Sequence, residues 1–131
     1  MKTILFLLLI LLQANAVILT YPDGKKEFFI QQDDKSRALT DRSYYKNGVV
    51  SRRTLFQDTR KIYVSFKALA DIEQFKMKYN LIMLKETNEM FHTYLFEIKG
   101  KVDVVELCSI INQKEQVRYA KPNWKSPRFT H

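Results

Sequence analysis

Between Lys61 and Lys121 the hydrophobic period switches repeatedly between that of a strand and that of a helix. A chain with that pattern has few ways to close. Ile62, Val64 and Phe66 alternate with Tyr63 and Ser65, as on a half-buried strand. Leu69, Ile72, Phe75 and Tyr79 then recur at helical spacing across Ala68–Tyr79, with Asn80 as the stop. Leu81–Lys85 is a second β-prone run, and Glu86–Phe91 reads as a turn. His92–Lys99 is a third strand, with Tyr94, Phe96 and Ile98 on one face, and Gly100 ends it. A second helix is expected over Asp103–Gln113. Asp103 and Glu106 form a capping-box-like pair, and Val104, Leu107, Cys108 and Ile111 make an apolar stripe. Val117–Lys121 is the last strand.

The order β-α-β-β-α-β predicts an α+β fold. The expected form is a ferredoxin-like antiparallel sheet of four strands with both helices on one face. Right-handed crossovers put the helices on the same side. The other face should carry Tyr63, Ser65, Leu95, Glu97, Arg118 and Ala120. Such a face is either an interaction surface or an ordinary solvated one, and composition does not separate the two.

Upstream of this domain, Met1–Ala16 reads as a secretory signal peptide. Lys2 is its positive start, Ile4–Leu12 its apolar run and Ala14-Asn15-Ala16 its cleavage site. The apolar run is shorter than the roughly 20 residues needed to span a bilayer. The expected protein is therefore exported, periplasmic or secreted, with no stable membrane insertion after cleavage. Val17–Tyr21 and Lys26–Ile30 flank Pro22-Asp23-Gly24 and read as a β-hairpin. Residues 31–60 are polar and without sustained period, so 17–60 is expected to be a hairpin and a linker, with local strand around Ser43–Tyr45 and Val49–Val50.

The formal net charge is +8, Lys2 included. Lys and Arg are scattered among Asp and Glu, and only Lys25-Lys26 and Arg52-Arg53 are adjacent pairs. That is not the clustered patch of a nucleic-acid binder, so no nucleic-acid partner is expected. Cys108 is the only cysteine, which excludes an internal disulfide. Its place on the helix stripe favours a buried apolar role over a reactive thiol. His92 and His131 are too few for a metal site. The three glycines, Gly24, Gly48 and Gly100, form no phosphate loop, and no serine sits in a nucleophile elbow. Phe66-Lys67-Ala68 offers no cradle for acylphosphatase-like chemistry. No catalytic residue, metal or cofactor is assigned, and the chain is expected not to be an enzyme.

Val117, Tyr119, Ala120, Pro122, Asn123 and Trp124 form the pattern Val-x-Tyr-Ala-x-Pro-Asn-aromatic. It resembles the final strand of the propeptide of subtilisin-like serine proteases. Lys61–Phe66, Tyr79-Asn80-Leu81 and Tyr94-Leu95-Phe96 extend the resemblance over roughly the last 70 residues. The N-terminal hairpin and Tyr44-Tyr45-Lys46-Asn47 are similar to leader segments before such domains. The family's catalytic domain, with its Asp, His and Ser triad, does not follow in these 131 residues. The resemblance therefore implies a stand-alone propeptide-like inhibitor, a folding chaperone, or both, monomeric when free. Its open sheet face would dock on the protease. Its tail, Lys125, Ser126, Pro127, Arg128, Phe129, Thr130 and His131, would lie in the substrate cleft with Phe129 as anchor. A frayed terminus is the plain reading of the same tail. The alternative is an exported ferredoxin-like binding module with an unrelated protein partner, for which the tail is dispensable.

Overall fold

The computed structural model describes residues 16–31, 42–47, 55–67 and 70–125. Within them lie eight strands and two helices. The strands are β1 (Ala16–Thr20), β2 (Lys26–Gln31), β3 (Ser43–Lys46), β4 (Leu55–Gln57), β5 (Lys61–Phe66), β6 (Leu81–Asn88), β7 (Thr93–Ile98) and β8 (Val117–Pro122). The helices are α1 (Ile72–Tyr79) and α2 (Val104–Ile111). The architecture is α+β with two antiparallel four-stranded sheets, ordered β1-β2-β3-β4 and β6-β7-β5-β8.

Local chemistry sets the helix ends. The Asp71 carboxylate accepts from the Gln74 N–H and starts α1. Asn80 ends it in the left-handed region, φ 54°, where its N–H reaches the Lys76 and Met77 carbonyls. Asp103 caps α2 by accepting from the Glu106 N–H at 3.0 Å. Helix α2 is buried on more than the expected stripe. Val104, Leu107, Cys108 and Ile111 are buried, and so is Val105. The reason is that α2 packs against β1 as well as β8 and β5. Ser109 makes that second contact polar: its hydroxyl donates to the Ile18 carbonyl at 2.9 Å and accepts from the Thr20 N–H at 3.1 Å.

The first sheet is a correction to the expected hairpin and linker. Ser43–Lys46 and Leu55–Gln57 do not trail away from β1 and β2. They add β3 and β4 to them, with Phe29 opposite Lys46 and Tyr44 opposite Phe56. Leu19, Phe29 and Tyr44 are buried. No local period announced this sheet because its core is completed from far along the chain. The Trp124 ring lies 5.4 Å from Phe29, 5.0 Å from Tyr44 and 5.8 Å from Phe56, centroid to centroid. Tyr44 donates its hydroxyl hydrogen bond to Asp103, the cap of α2. The signal-peptide segment up to Asn15 and the expected strand at Val49–Val50 lie outside the described residues, and Ala16 opens β1 opposite Ile30.

A buried ion pair joins the sheets. Arg60, at φ 58°, turns the chain from β4 into β5. Asp58 accepts from the Arg60 backbone N–H at 2.7 Å and from its Nη1 at 2.9 Å. Arg60 Nη2 donates to the carbonyls of Gly100 and Val102, fixing the loop that leads into α2. Burial pushes the Asp58 carboxyl above the usual carboxylate range, and the hydrogen bonds from Arg60 oppose that shift.

Candidate protein-docking surface

Cross-strand register decides which side chains share a face of the second sheet. Ile62 stands opposite Phe96 and Pro122, and Val64 opposite Tyr94 and Ala120. Ile62, Val64, Phe96 and Ala120 are fully buried and belong to the hydrophobic core. The opposite face carries Tyr63 across from Leu95 and Lys121, Ser65 across from Thr93 and Tyr119, and Lys61 across from Glu97.

Four of the six expected face residues, Tyr63, Ser65, Leu95 and Glu97, therefore share one face. Ala120 does not, which is a correction. The register slips where Phe66 pairs with Val117 and Ser65 with Tyr119. Arg118 is the extra residue of that bulge. The slip breaks strict alternation, so Val117 and Ala120, three apart, both point into the core. Tyr119 and Lys121 take the places that a regular strand would have given to Arg118 and Ala120. Two of the expected face residues are also less available than expected. Ser65 is 0% and Leu95 7% exposed, and the Ser65 hydroxyl donates to the Phe91 carbonyl at 2.8 Å.

What remains accessible is an aromatic and cationic ridge. The Arg118 guanidinium lies 5.0 Å from the centroid of Phe91. The Lys121 ammonium lies 5.9 Å from the ring of Tyr63 and 5.5 Å from that of Tyr119. On one side of the ridge is a hollow of about 500 Å³ reached by Tyr63, Thr87, Asn88 and Phe91. On the other side a hollow of about 540 Å³ is walled by Tyr21, Pro22, Asp23 and Lys25 from the β1–β2 turn. Gly24 makes that turn possible at φ 90°. A third, of about 300 Å³, opens where the two sheets meet, among Tyr21, Glu27, Lys46, Phe56, Tyr63, Lys121 and Trp124. Glu27 is already engaged there, by Lys46 at 3.2 Å and by the Tyr21 hydroxyl.

The residues of the Val-x-Tyr-Ala-x-Pro-Asn-aromatic pattern are buried or half-buried. Val117 and Ala120 are buried. The Asn112 side chain donates to the Ala120 carbonyl at 3.0 Å and accepts from its N–H at 2.6 Å. It thereby occupies the outer edge of β8, and Pro122 offers no N–H there. Asn123 donates its N–H to the Lys61 carbonyl and accepts from the Thr59 hydroxyl through its own carbonyl. Lys125 is not the start of a free tail, a second correction. Its backbone exchanges two hydrogen bonds with Gln57, at 2.8 and 3.1 Å, extending the edge of β4. Ser126, Pro127, Arg128, Phe129, Thr130 and His131 lie outside the described residues.

Cys108 is fully buried, and burial, with Asp103 and Asp58 adding to it, pushes its thiol well above the ordinary value. Such a group is a poor nucleophile. His92 holds φ 48° in the turn before β7. Among the described residues no three His, Cys, Asp or Glu side chains gather into a metal-binding group. No described helix is long and apolar enough to cross a membrane.

Comparison of the chain with protein-family models, with curated proteins and with solved structures returns no match.

Proposed function

We propose that this chain is an exported propeptide-like protein that inhibits a subtilisin-like serine protease, assists its folding, or does both. The observation that carries the reading is the second sheet. Its order β6-β7-β5-β8, with helices between β5 and β6 and between β7 and β8, agrees with a ferredoxin-like split βαβ arrangement. That is the arrangement implied by the resemblance of Val117–Trp124 to a propeptide's last strand. The face away from the helices keeps Tyr63, Tyr119, Lys121 and Arg118 available for a partner. The path of the chain after β8 supports the same reading. Lys125 is tied to Gln57 at the edge of the first sheet. Residues 126–131, if extended in a cleft, would span about 20 Å, enough for several subsites.

The test is residual subtilisin activity titrated with the chain from Ala16 onward and with a version that ends at Lys125. Ending there keeps the Gln57 bridge and the Trp124 packing intact. Inhibition by the full chain with loss in the shortened one supports the cleft-bound tail. Equal potency of the two sinks the tail's role and leaves inhibition to the sheet face. Full protease activity with both favours the second reading, a binding module whose sheet face engages an unrelated exported protein. That second reading draws on the ridge, which is complete without the tail.

A further inference from the structure

We infer that the Arg118–Tyr119–Lys121 ridge and the β1–β2 turn form one composite docking site for carboxylate side chains on an acidic surface of a partner protein. The inference rests on the docking face proposed above but not on the partner being a protease.

The cations carry it. Arg118 and Lys121 are exposed, and neither makes an ion pair among the described residues. They are nevertheless held in place. Arg118 lies over Phe91, and Lys121 lies between Tyr63 and Tyr119. A cation positioned by aromatic rings and left without a counter-charge loses little side-chain freedom when an anion arrives. Lys25 adds a third exposed cation across the 540 Å³ hollow. Of the acids nearby, Asp23 uses its carboxylate on the Lys25 backbone N–H, and Glu27 is taken by Lys46 and Tyr21. Asp23 keeps its negative charge, so the surface presents a net positive charge, three cations against one carboxylate, flanked by Tyr, Phe and Pro. That mixture is characteristic of protein interfaces with charged anchors.

A single-stranded nucleic acid fits less well. Bases need free aromatic faces to stack on, and the rings of Phe91, Tyr63 and Tyr119 each already face a cation. The two hollows share the ridge as a common wall, so the first sheet is part of the recognition surface.

The experiment compares two charge-matched variants. One is Lys25→Glu/Arg118→Glu/Lys121→Glu, on the proposed site. The other is Lys78→Glu/Lys99→Glu/Lys101→Glu, on α1 and the loop before α2. The probe is a fluorescein-labelled oligo-glutamate peptide, read by anisotropy at low and physiological salt, with circular dichroism as the folding control. A Lys25→Gln/Arg118→Gln/Lys121→Gln variant repeats the test without adding negative charge. Parent and remote variant should bind alike, and the face variants at least about tenfold more weakly. Equal losses in the face and remote variants, or no binding by the parent, overturn the inference. So does tighter binding of an oligo-thymidine probe that is lost with the same three residues, which would assign the ridge to nucleic acid. Inhibition of subtilisin, measured in parallel, separates the two proposals. Site-specific peptide binding without inhibition removes the protease reading and keeps the ridge. Inhibition unaffected by the face substitutions, with site-independent peptide binding, does the reverse.

Discussion

Trp124→Ala probes whether the two sheets form one cooperative unit. Trp124 comes after β8 yet lies against Phe29, Tyr44 and Phe56 of the first sheet, at centroid distances of 5.4, 5.0 and 5.8 Å. Each distance is within the range of a favourable aromatic pair, about 0.5–1.5 kcal/mol beyond area burial. Truncating a fully buried Trp costs about 3–5 kcal/mol. Trp124 is partly buried, which puts the loss near the lower end, about 3 kcal/mol. For a domain of this size that lowers Tm by about 12 °C. Trp124→Phe keeps one ring in the cluster and should lose about 1 kcal/mol. The assay is thermal and urea unfolding followed by circular dichroism, because Trp124 is the only tryptophan and its fluorescence disappears with it. The parent should unfold in one transition. A Trp124→Ala protein within about 0.5 kcal/mol of the parent, the range of an ordinary surface change, would refute the packing of the first sheet on the C-terminal segment. A parent that unfolds in two separate steps would refute the single unit.

Two further outcomes follow from the same geometry. Asn112→Ala strips both partners from the Ala120 backbone. It should cost about 2–3 kcal/mol and promote self-association through the uncovered edge of β8, read by unfolding and by sedimentation; a monomer of unchanged stability would contradict the edge assignment. Burial, the Asp103 carboxylate and the hydrogen bond to it raise the Tyr44 phenol above its ordinary value, and burial with Glu27 does the same for Tyr21. Both raised groups contribute stability that is fully present below the unfolded value of about 10 and is lost as pH rises toward the folded values. Unfolding free energy should fall above pH ~10, and more shallowly in Tyr44→Phe; identical alkaline slopes in the two proteins would contradict this.

Most elements between Lys61 and Lys121 were legible because they draw on their own period. Ile62/Val64/Phe66 marks a strand, and Asp103 with Glu106 ahead of an apolar stripe marks a capped helix. But β6 runs on to Asn88 where a turn was expected from Glu86, its side chains beyond Leu81 being exposed and without a period, and α1 starts at Ile72 rather than Ala68. The first sheet was not legible, because Tyr44 and Phe56 gain their partners from Trp124, more than sixty residues away. A polar stretch with scattered aromatics looks like a linker until the distant ring is known. The face of β8 was misread for a different reason. Period-two counting from Tyr119 runs straight through Arg118, and nothing in Val-Arg-Tyr-Ala distinguishes a bulged strand from a regular one. Exposed Lys121 and half-buried Tyr119 were thereby missed as the residues of the outer face. The signal available for them was the cross-strand match of Lys121 with Tyr63, which needs the register to be seen. Val117, Ala120 and Trp124, part of the motif on which the family resemblance rests, proved to be buried or packed in the core, so that motif reports on architecture more directly than on contact with a partner.

The most direct measurement is the activity of subtilisin against a small chromogenic substrate, titrated with the folded chain from Ala16 onward. Activity falling with added chain, with an apparent affinity that weakens as salt rises and in Lys25→Glu/Arg118→Glu/Lys121→Glu, is the expected result. Full activity at every concentration, from a chain shown to be folded, would contradict the protease-inhibitor reading.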